Sequence, residues 1–227
     1  MRLDKYLANA NIGSRKEVGK WIRKGMVKVN GQIEKQVKVE VTYEDEITFQ
    51  DERVNLEEYI YLMMNKPTGV ISSTEEGPTK TVIDLIDHPQ GNELFPVGRL
   101  DKDTTGLLLI SNDGKLAHRL LSPKNEHFKT YHVTLKNRVD NKDVEHLENG
   151  IQLKDFKTKP ARVEQIDAHH LHLSISEGKF HQVKRMFQAL DNEVIALKRV
   201  KFVSLDLDES LIEGQWRHLT TDEIKKL

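Results

Sequence analysis

The sequence of 227 residues contains no cysteine, which excludes disulfide bonds and zinc sites built from cysteine. It also lacks any apolar run that approaches the roughly 18 residues of a membrane-spanning helix. Residues 1–5 carry charges where a secretory signal peptide needs an apolar core, and there is no internal repeat or low-complexity tract. Together these absences predict a cytoplasmic protein that does not associate with a membrane.

Charge is segregated along the chain, although the formal net charge is only -1. Residues 1–38 hold ten Lys and Arg against three acids, whereas residues 39–58 hold eight acids against one Arg. Hydrophobic residues make up 37% of the chain and charged residues 31%, which is polar for a globular protein but not typical of a disordered one. The cationic first segment favours a protein that binds a polyanion, with simply solvated helices as the alternative.

Residues 1–49 predict a compact module of two helices followed by short strands. Apolar residues recur at helical spacing over residues 3–10, and Ser14 with Glu17 forms the capping-box pattern that begins a second helix. Residues 26–29 alternate like a strand, and the Asn-Gly pair at 30–31 favours a hairpin turn.

The rest of the chain predicts a second, larger domain of the α+β class. Residues 50–58 are acidic and lack periodicity, so we expect a first domain over 1–50, a linker over 51–58 and a second domain over 59–227. Strands and helices do not alternate strictly in the second domain, and several strands lie within hairpin reach of one another. This favours a mixed or antiparallel sheet flanked by helices over a doubly wound parallel sheet.

The most informative stretch covers residues 98–114. A charged loop with Asp101 at its centre leads directly into the apolar block 107–110, which predicts a buried strand that ends at the turn signal 112–114. A carboxylate held on a loop at the end of a buried strand is suited to catalysis. Aspartate is also common in ordinary turns, so the pattern alone leaves both interpretations open.

Three segments resemble, in the same order, the catalytic segments of the pseudouridine synthases. They are residues 98–106, residues 129–131 and residues 177–187, and the Asn-Lys-Pro-x-Gly turn at 65–69 is similar as well. The resemblance implies an isomerase that converts uridine in RNA to pseudouridine with no cofactor and no metal. It also implies a mixed central sheet flanked by helices, with the RNA cleft across it.

The resemblance assigns roles to particular residues. Asp101 would be the catalytic carboxylate, Lys184 would keep it ionised, and Tyr131 would stack on the base and handle the C5 proton. Without the resemblance, Asp101 fits a turn, Tyr131 fits a core position and Lys184 fits a solvated helix face. The substrate-binding residues that the resemblance implies are Arg99, His181, Val183 and Arg185.

The first module resembles the small RNA-binding domain named after ribosomal protein S4. The matching stretches are residues 2–7, 14–17 and 27–31. In that family two helices present basic residues to folded RNA. The residues expected to face RNA are Arg2, Lys5, Arg15, Lys16, Lys20 and Lys24, and a solvated surface is the alternative for each of them.

The whole chain resembles the branch of the family that acts on the ribosomal small subunit. The expected substrate is one uridine in 16S rRNA, at the site usually numbered 516, in an assembling small subunit, and the expected state is a monomer. The same chemistry on 23S rRNA and a non-catalytic RNA-binding assembly factor are the alternatives.

Two further patterns carry little weight. Asp101 and Asp103 are two residues apart, which is poor evidence for the fixed separation of a glycoside hydrolase pair. His169, His170 and His172 suggest a metal, but alternation places two of them on one strand face without an evident third ligand. We therefore expect no metal site.

Overall fold

A computed structural model describes residues 1–75 and 77–227. Within them the chain divides into two compact units. The first comprises Met1–Ile60 with Ile86–Leu94, and the second comprises Tyr61–Leu85 with Phe95–Leu227. The continuous second domain expected from residue 59 onwards is therefore interrupted, since Ile86–Leu94 belongs to the first unit.

The first unit contains two helices, α1 (Leu3–Asn9) and α2 (Arg15–Arg23), and a four-stranded sheet. The strands are β1 (Val27–Val29), β2 (Gln32–Ile33), β3 (Ile47–Phe49) and β4 (Glu52–Val54), in the spatial order β2-β1-β3-β4. The predicted capping box begins α2: the Ser14 hydroxyl accepts from the Glu17 amide, and the Glu17 carboxylate accepts from the Ser14 amide.

The predicted linker is not an unstructured connection. Strand β4 lies inside it and pairs with β3, and Val54 and Leu56 are buried in the core of the first unit. Gln50 and Asp51 have φ of +53° and +68°, so they form a tight hairpin turn with the left-handed backbone that Asn-Gly usually provides. The acidic composition suggested a linker because neither residue is a usual signal for this turn.

The second unit is built on one large mixed sheet. Its strands are β5 (Tyr61–Lys66), β6 (Phe95–Pro96), β7 (Thr105–Ser111), β8 (Lys129–Leu135), β9 (Arg162–Gln165), β10 (His170–Ile175), β11 (Val194–Phe202), β12 (Leu205–Asp206) and β13 (Trp216–His218). The order is β13-β5-β7-β11-β8-β10-β9, with β6 beside β7 and β12 beside β11. The β7–β11 pair is parallel and the other pairings among these strands are antiparallel, so the predicted α+β class with a mixed sheet is confirmed.

Four helices complete the second unit as the structure describes it: α3 (Gly114–Leu121), α4 (Asn141–Asn149), α5 (Gln182–Gln188) and α6 (Thr221–Lys225). None of the described helices is long and apolar enough to cross a membrane. Three of the four begin at a capping side chain, namely Asp113, Asp140 and Thr220. The exception is α5, which begins after His181 in the left-handed conformation, with φ of +49°.

Strand β7 lies in the interior of the sheet between β5 and β11. Leu107, Leu108, Leu109 and Ile110 are all fully buried, although successive strand residues point to opposite faces. Both faces of β7 are therefore covered, as the uninterrupted apolar block predicted.

Gly106, near the start of β7, has a structural reason to be glycine. Its φ is +98°, and a Cβ there would lie 2.2 Å from the backbone carbonyl oxygen of Arg199 on β11. The close approach of β7 and β11 fixes the point at which the Asp101 loop enters the sheet.

Candidate active site

The loop that carries Asp101 connects β6 to β7 and is held by hydrogen bonds to the segment that follows β5. The buried hydroxyl of Ser72 accepts from the Leu100 amide at 3.0 Å and donates to the Leu100 carbonyl at 3.1 Å. The Gly69 amide donates to the Lys102 carbonyl at 2.8 Å. Residues on both sides of Asp101 are thus fixed before any ligand binds.

Lys66, at the end of β5, supports the same loop from beneath. Its ammonium is fully buried and donates to the carbonyls of Pro67 at 3.0 Å, Lys102 at 3.3 Å and Thr104 at 2.9 Å. Burial lowers the pKa of Lys66 to about 8, and the charges of Asp103 and Asp101 oppose the fall. The Asn-Lys-Pro-x-Gly turn therefore ends strand β5 and also places the Lys66 ammonium beneath the Asp101 loop.

A cavity of about 520 Å³ lies beside the loop, within the size range of small-ligand sites. Its walls come from the Asp101 loop, from β8 and from the segment that leads into α5. The sequence-predicted residues that line it are Arg99, Asp101, Tyr131, His181, Val183 and Lys184. Three segments that are distant along the chain therefore meet at one cavity.

Asp101 lies between two basic side chains. Its Oδ2 is 3.6 Å from Lys184 Nζ and 3.6 Å from His181 Nε2. The side chain is 30% exposed, so the carboxylate is accessible from the cavity.

Lys184 does not pair with Asp101 alone. Its Nζ is 2.6 Å and 2.8 Å from the two carboxylate oxygens of Asp103, closer than it is to Asp101. The hydrogen bond from Lys184 lowers the pKa of Asp103 below its usual value. The expectation that Lys184 serves Asp101 thus becomes one lysine shared by two carboxylates, and Asp103 takes the shorter bonds.

Arg185 lies elsewhere. It forms an ion pair with Asp155 and lies 5.4 Å above the Phe156 ring, and it is not among the residues that line the cavity. The helix geometry explains this, because consecutive residues of α5 point in directions about 100° apart. Val183, by contrast, is buried in the cavity wall, as an aliphatic surface for a base requires.

Tyr131 is nearly buried on β8, where it pairs with Leu173 of β10 and Arg199 of β11. Arg199 was not predicted. Its side chain is only 2% exposed, its Nε donates to the Leu107 carbonyl at 2.8 Å, and its guanidinium faces Tyr131. Burial lowers the pKa of Arg199, and the interaction with Tyr131 opposes the fall. The sequence gives only a weak indication that Arg199 belongs to the site, because it is one arginine within an extended segment.

Phe180 is a second residue that the sequence reasoning missed. It lines the cavity, it is 76% exposed, and its ring stacks on His181 with centroids 3.8 Å apart. An exposed aromatic ring at the mouth of a polar cavity is suited to stacking on a base. In the sequence, the only indication that Phe180 belongs to the site is its position between Lys179 and His181.

In the first unit, two of the six residues expected to face RNA, Arg2 and Arg15, form ion pairs with Asp4 of the same unit. The Asp4 carboxylate accepts from Arg2 at 3.0 Å and 2.7 Å and from Arg15 at 3.1 Å. Burial raises the pKa of Asp4, but the hydrogen bonds from both arginines outweigh it and hold the pKa below its usual value. The residues whose side chains are exposed are Lys5, Arg15, Lys16, Lys20 and Lys24, and Arg2 is half-buried.

The histidines on β8 and β10 form a cluster of rings. His170 and His172 share a strand face, and His132 of β8 packs against both, with centroids 5.7 Å and 5.4 Å away. Each of the two is also close to an acid, His170 to Asp167 at 2.9 Å and His172 to Glu164 at 3.3 Å. The rings thus have protein partners that account for their placement.

Comparison with known proteins assigns both units. A profile of the family described as RNA pseudouridylate synthase matches residues 60–189, and a profile of the S4 domain matches residues 1–47. The chain is 47% identical to an uncharacterised RNA pseudouridine synthase (YtzG) of Bacillus subtilis, covering 100% of this chain and 98% of that protein. It is 46% identical to ribosomal small subunit pseudouridine synthase A of Haemophilus influenzae, covering 100% of this chain and 99% of the relative.

A large-subunit relative and a solved structure extend the comparison. Ribosomal large subunit pseudouridine synthase B of Bacillus subtilis is 38% identical, with 100% of this chain and 95% of that protein covered. A crystal structure of a pseudouridylate synthase has a TM-score of 0.72 and 44% identity, covering 100% of this chain and 99% of that chain. Family profile, full-length relatives and solved structure agree: the chain belongs to the RNA pseudouridine synthase family and carries an S4 domain at its N-terminus.

Proposed function

We propose that this enzyme isomerises one uridine of ribosomal RNA to pseudouridine and that Asp101, Tyr131 and Lys184 carry the reaction. The observation that supports this most is the placement of Asp101 in a cavity together with Tyr131 and Lys184. The reaction breaks the N1–C1′ bond, turns the base and joins C5 to C1′. Atoms are conserved and no electrons are exchanged with a cofactor.

Asp101 supplies the carboxylate that the reaction needs near the ribose. It either attacks C1′ as a nucleophile or removes the C2′ proton to give a glycal. Both routes need an ionised, fixed carboxylate. The hydrogen bonds to Leu100 and Lys102 hold the loop, and Lys184 and His181 lie 3.6 Å away.

Three side chains receive the base once it has left its stack. Extrusion of a nucleotide costs a few kcal/mol, and stacking on an aromatic side chain recovers about 1–3 kcal/mol. Tyr131 forms one wall and Val183 the opposite aliphatic wall, and Phe180 offers a ring at the mouth. The Tyr131 hydroxyl accepts the C5 proton after the new bond has formed while its own proton passes to solvent, and N1 takes a proton from solvent, so the proton count is unchanged.

Arg99 and His181 contact the RNA around the extruded nucleotide. Arg99 is exposed beside Asp101 and holds the backbone or fills the space that the nucleotide leaves. Arg185 was expected to share this role, but its pairing with Asp155 places it outside the cavity, so we do not include it.

We place the substrate in the small subunit, at the 16S rRNA uridine usually numbered 516. The full-length small-subunit relative at 46% identity supports this branch, while the large-subunit relative at 38% identity keeps a 23S rRNA uridine as the second candidate. The exposed lysines of α2 in the first unit bind phosphates of the surrounding RNA. The enzyme then acts as a monomer on rRNA in the cytoplasm.

The test is to map pseudouridines in both rRNAs from cells with and without this protein. Loss of one pseudouridine from 16S rRNA, restored by the purified enzyme on an rRNA transcript, is the expected result. Loss from 23S rRNA instead assigns the substrate to the second candidate. If both rRNAs keep every pseudouridine and the purified protein only binds RNA, the protein is an assembly factor and the proposal is wrong.

A further inference from the structure

A second cavity of about 430 Å³ lies next to the Asp101 cavity in the second unit. The two share part of their walls, including Arg99, Tyr131 and Lys179. The remaining wall of the second cavity comes from the end of α3, from the start of β8 and from Arg199. The two cavities are therefore close enough for one RNA strand to reach both.

Two cations, the buried Arg199 and the half-buried Lys129, lie together in the wall of the second cavity. Burial lowers the pKa of Lys129, and the charge of Arg199 lowers it further, so the two repel each other. Within the described part of the chain, neither forms an ion pair with a carboxylate. One terminal nitrogen of Arg199, Nη2, is buried without a hydrogen-bond partner among the described residues.

The acidic side chain in the cavity wall is not paired with either cation within the described residues. Glu177 lines the cavity, but one of its carboxylate oxygens accepts from Gln182 at 2.9 Å and from the Lys159 amide at 2.9 Å. Lys129 itself reaches only the carbonyls of His127 and Glu177, both at a long 3.4 Å. A buried cation beside a second, half-buried cation without a counter-charge is costly to a fold, so such an arrangement is typical of a site for an anion.

We propose that the second cavity binds a phosphodiester group of the substrate RNA, next to the nucleotide that enters the Asp101 cavity, through Lys129 and Arg199. The proposal rests on the proposed function, which places the RNA strand here. Arg199 offers its unpartnered Nη2 to a phosphate oxygen, since its Nε already donates to the Leu107 carbonyl, and the Lys129 ammonium adds a point charge. Anchoring the backbone there fixes the position of the ribose relative to Asp101.

The first experiment measures RNA affinity and thermal stability of Lys129→Gln, which keeps the side-chain length and removes the charge. The probe is a 16S rRNA fragment that contains uridine 516, or the fragment identified by mapping if the two differ. We expect affinity to fall about tenfold and the slope of log K against log salt to become shallower by about 0.7. The melting temperature should stay equal or rise, because the repulsion with Arg199 is removed.

Lys142→Gln is the matched control, since it removes one exposed charge on α4 outside both cavities. Lys129→Arg should restore affinity because it restores the charge. A lower melting temperature for Lys129→Gln with unchanged affinity makes Lys129 a structural residue and overturns the proposal.

The second experiment identifies the phosphate. Single methylphosphonate linkages, which are neutral, replace the phosphodiesters around the target uridine one at a time. One linkage should weaken binding to wild type about tenfold and have no further effect on Lys129→Gln. If every methylphosphonate linkage lowers the RNA affinity of wild type and variant by the same factor, the subsite does not exist, whether or not pseudouridine forms.

Two more outcomes separate this inference from the reaction. If the expected linkage pattern appears but no pseudouridine forms, the subsite stands and the proposed function fails. If inorganic phosphate raises the melting temperature of wild type but not of Lys129→Gln, while no linkage distinguishes them, the cavity binds free phosphate and the proposal is wrong.

Discussion

At the scale of single residues, the site is defined by how a few cations are distributed among carboxylates and carbonyls. Lys184 is shared between Asp101 and Asp103, and Lys66 has no acid within hydrogen-bonding distance among its described partners, which are three carbonyls. A sequence shows which residues are basic but not which oxygen each one reaches. For that reason the resemblance placed Lys184 near Asp101 and missed the shorter bonds to Asp103.

Lys66 gives a prediction at this scale. Lys66→Met keeps the apolar stem and leaves the carbonyls of Lys102 and Thr104 without their donor, so the Asp101 loop loses its fixed position. We expect kcat to fall at least about tenfold, since small displacements of a catalytic group are costly, while RNA affinity changes little. Single-turnover kinetics and a binding titration separate the two quantities.

The control for this prediction is Lys115→Met, which removes an exposed lysine of α3 that does not line the cavity. Its kcat should stay close to that of wild type. Equal kcat for Lys66→Met and wild type would show that the buried ammonium does not position the loop.

At the scale of helices and strands, local signals predicted the elements and long-range contacts decided their partners. The block at 107–110 predicted β7 because four consecutive apolar residues fit a strand covered on both faces. Strand β4 was not predicted because the turn before it, at Gln50 and Asp51, has a left-handed backbone conformation without the Asn-Gly pair that usually signals such a turn. Arg199 was missed because only sheet pairing brings Tyr131 and Lys129 near it.

The C-terminal helix α6 provides a pH-dependent prediction. Arg217 on β13 donates to both carboxylate oxygens of Glu223, at 2.7 Å and 2.8 Å, and to Asp208 at 2.6 Å. The hydrogen bond from Arg217 lowers the pKa of Glu223 to about 2. Because the folded-state pKa is depressed, this stabilisation is present above the ordinary pKa near 4.5 and is lost as the pH falls towards 2.

Glu223→Gln should therefore lower the free energy of unfolding at pH 7 by an amount on the order of 1–2 kcal/mol, allowing for partial exposure. The difference from wild type should shrink as the pH falls through 4 and vanish near 2. Chemical denaturation across this pH range measures it. Asp222→Asn, at the exposed neighbouring position, should show a small difference at every pH, and a constant difference for Glu223→Gln would contradict the linkage.

At the scale of the whole molecule, we propose that the two units divide the work, with RNA binding in the S4 domain and chemistry in the second unit. The order of motifs along the chain was enough to predict an RNA-binding module before a catalytic domain. The inclusion of Ile86–Leu94 in the first unit was not predictable, because it depends on contacts between distant segments. The division of labour predicts that exposed lysines of the first unit affect binding and not kcat.

Replacing Lys16 and Lys20 together with Gln tests this division. Each lost phosphate contact should reduce the slope of log K against log salt by about 0.7, and affinity should fall while single-turnover rates at saturating enzyme stay unchanged. Lys35→Gln with Lys38→Gln removes the same charge elsewhere in the first unit and should have a smaller effect. Equal slopes for both pairs would mean that α2 does not face RNA.

Whether Asp101 is the catalytic carboxylate is decided by comparing Asp101→Asn with Asp103→Asn in single-turnover pseudouridine formation. Both variants remove one negative charge from the same loop and from the same lysine. We expect Asp101→Asn to form no detectable pseudouridine while it still binds RNA. We expect Asp103→Asn to form pseudouridine at a rate within about tenfold of wild type. Pseudouridine formation by Asp101→Asn at a rate comparable to that of Asp103→Asn would contradict it.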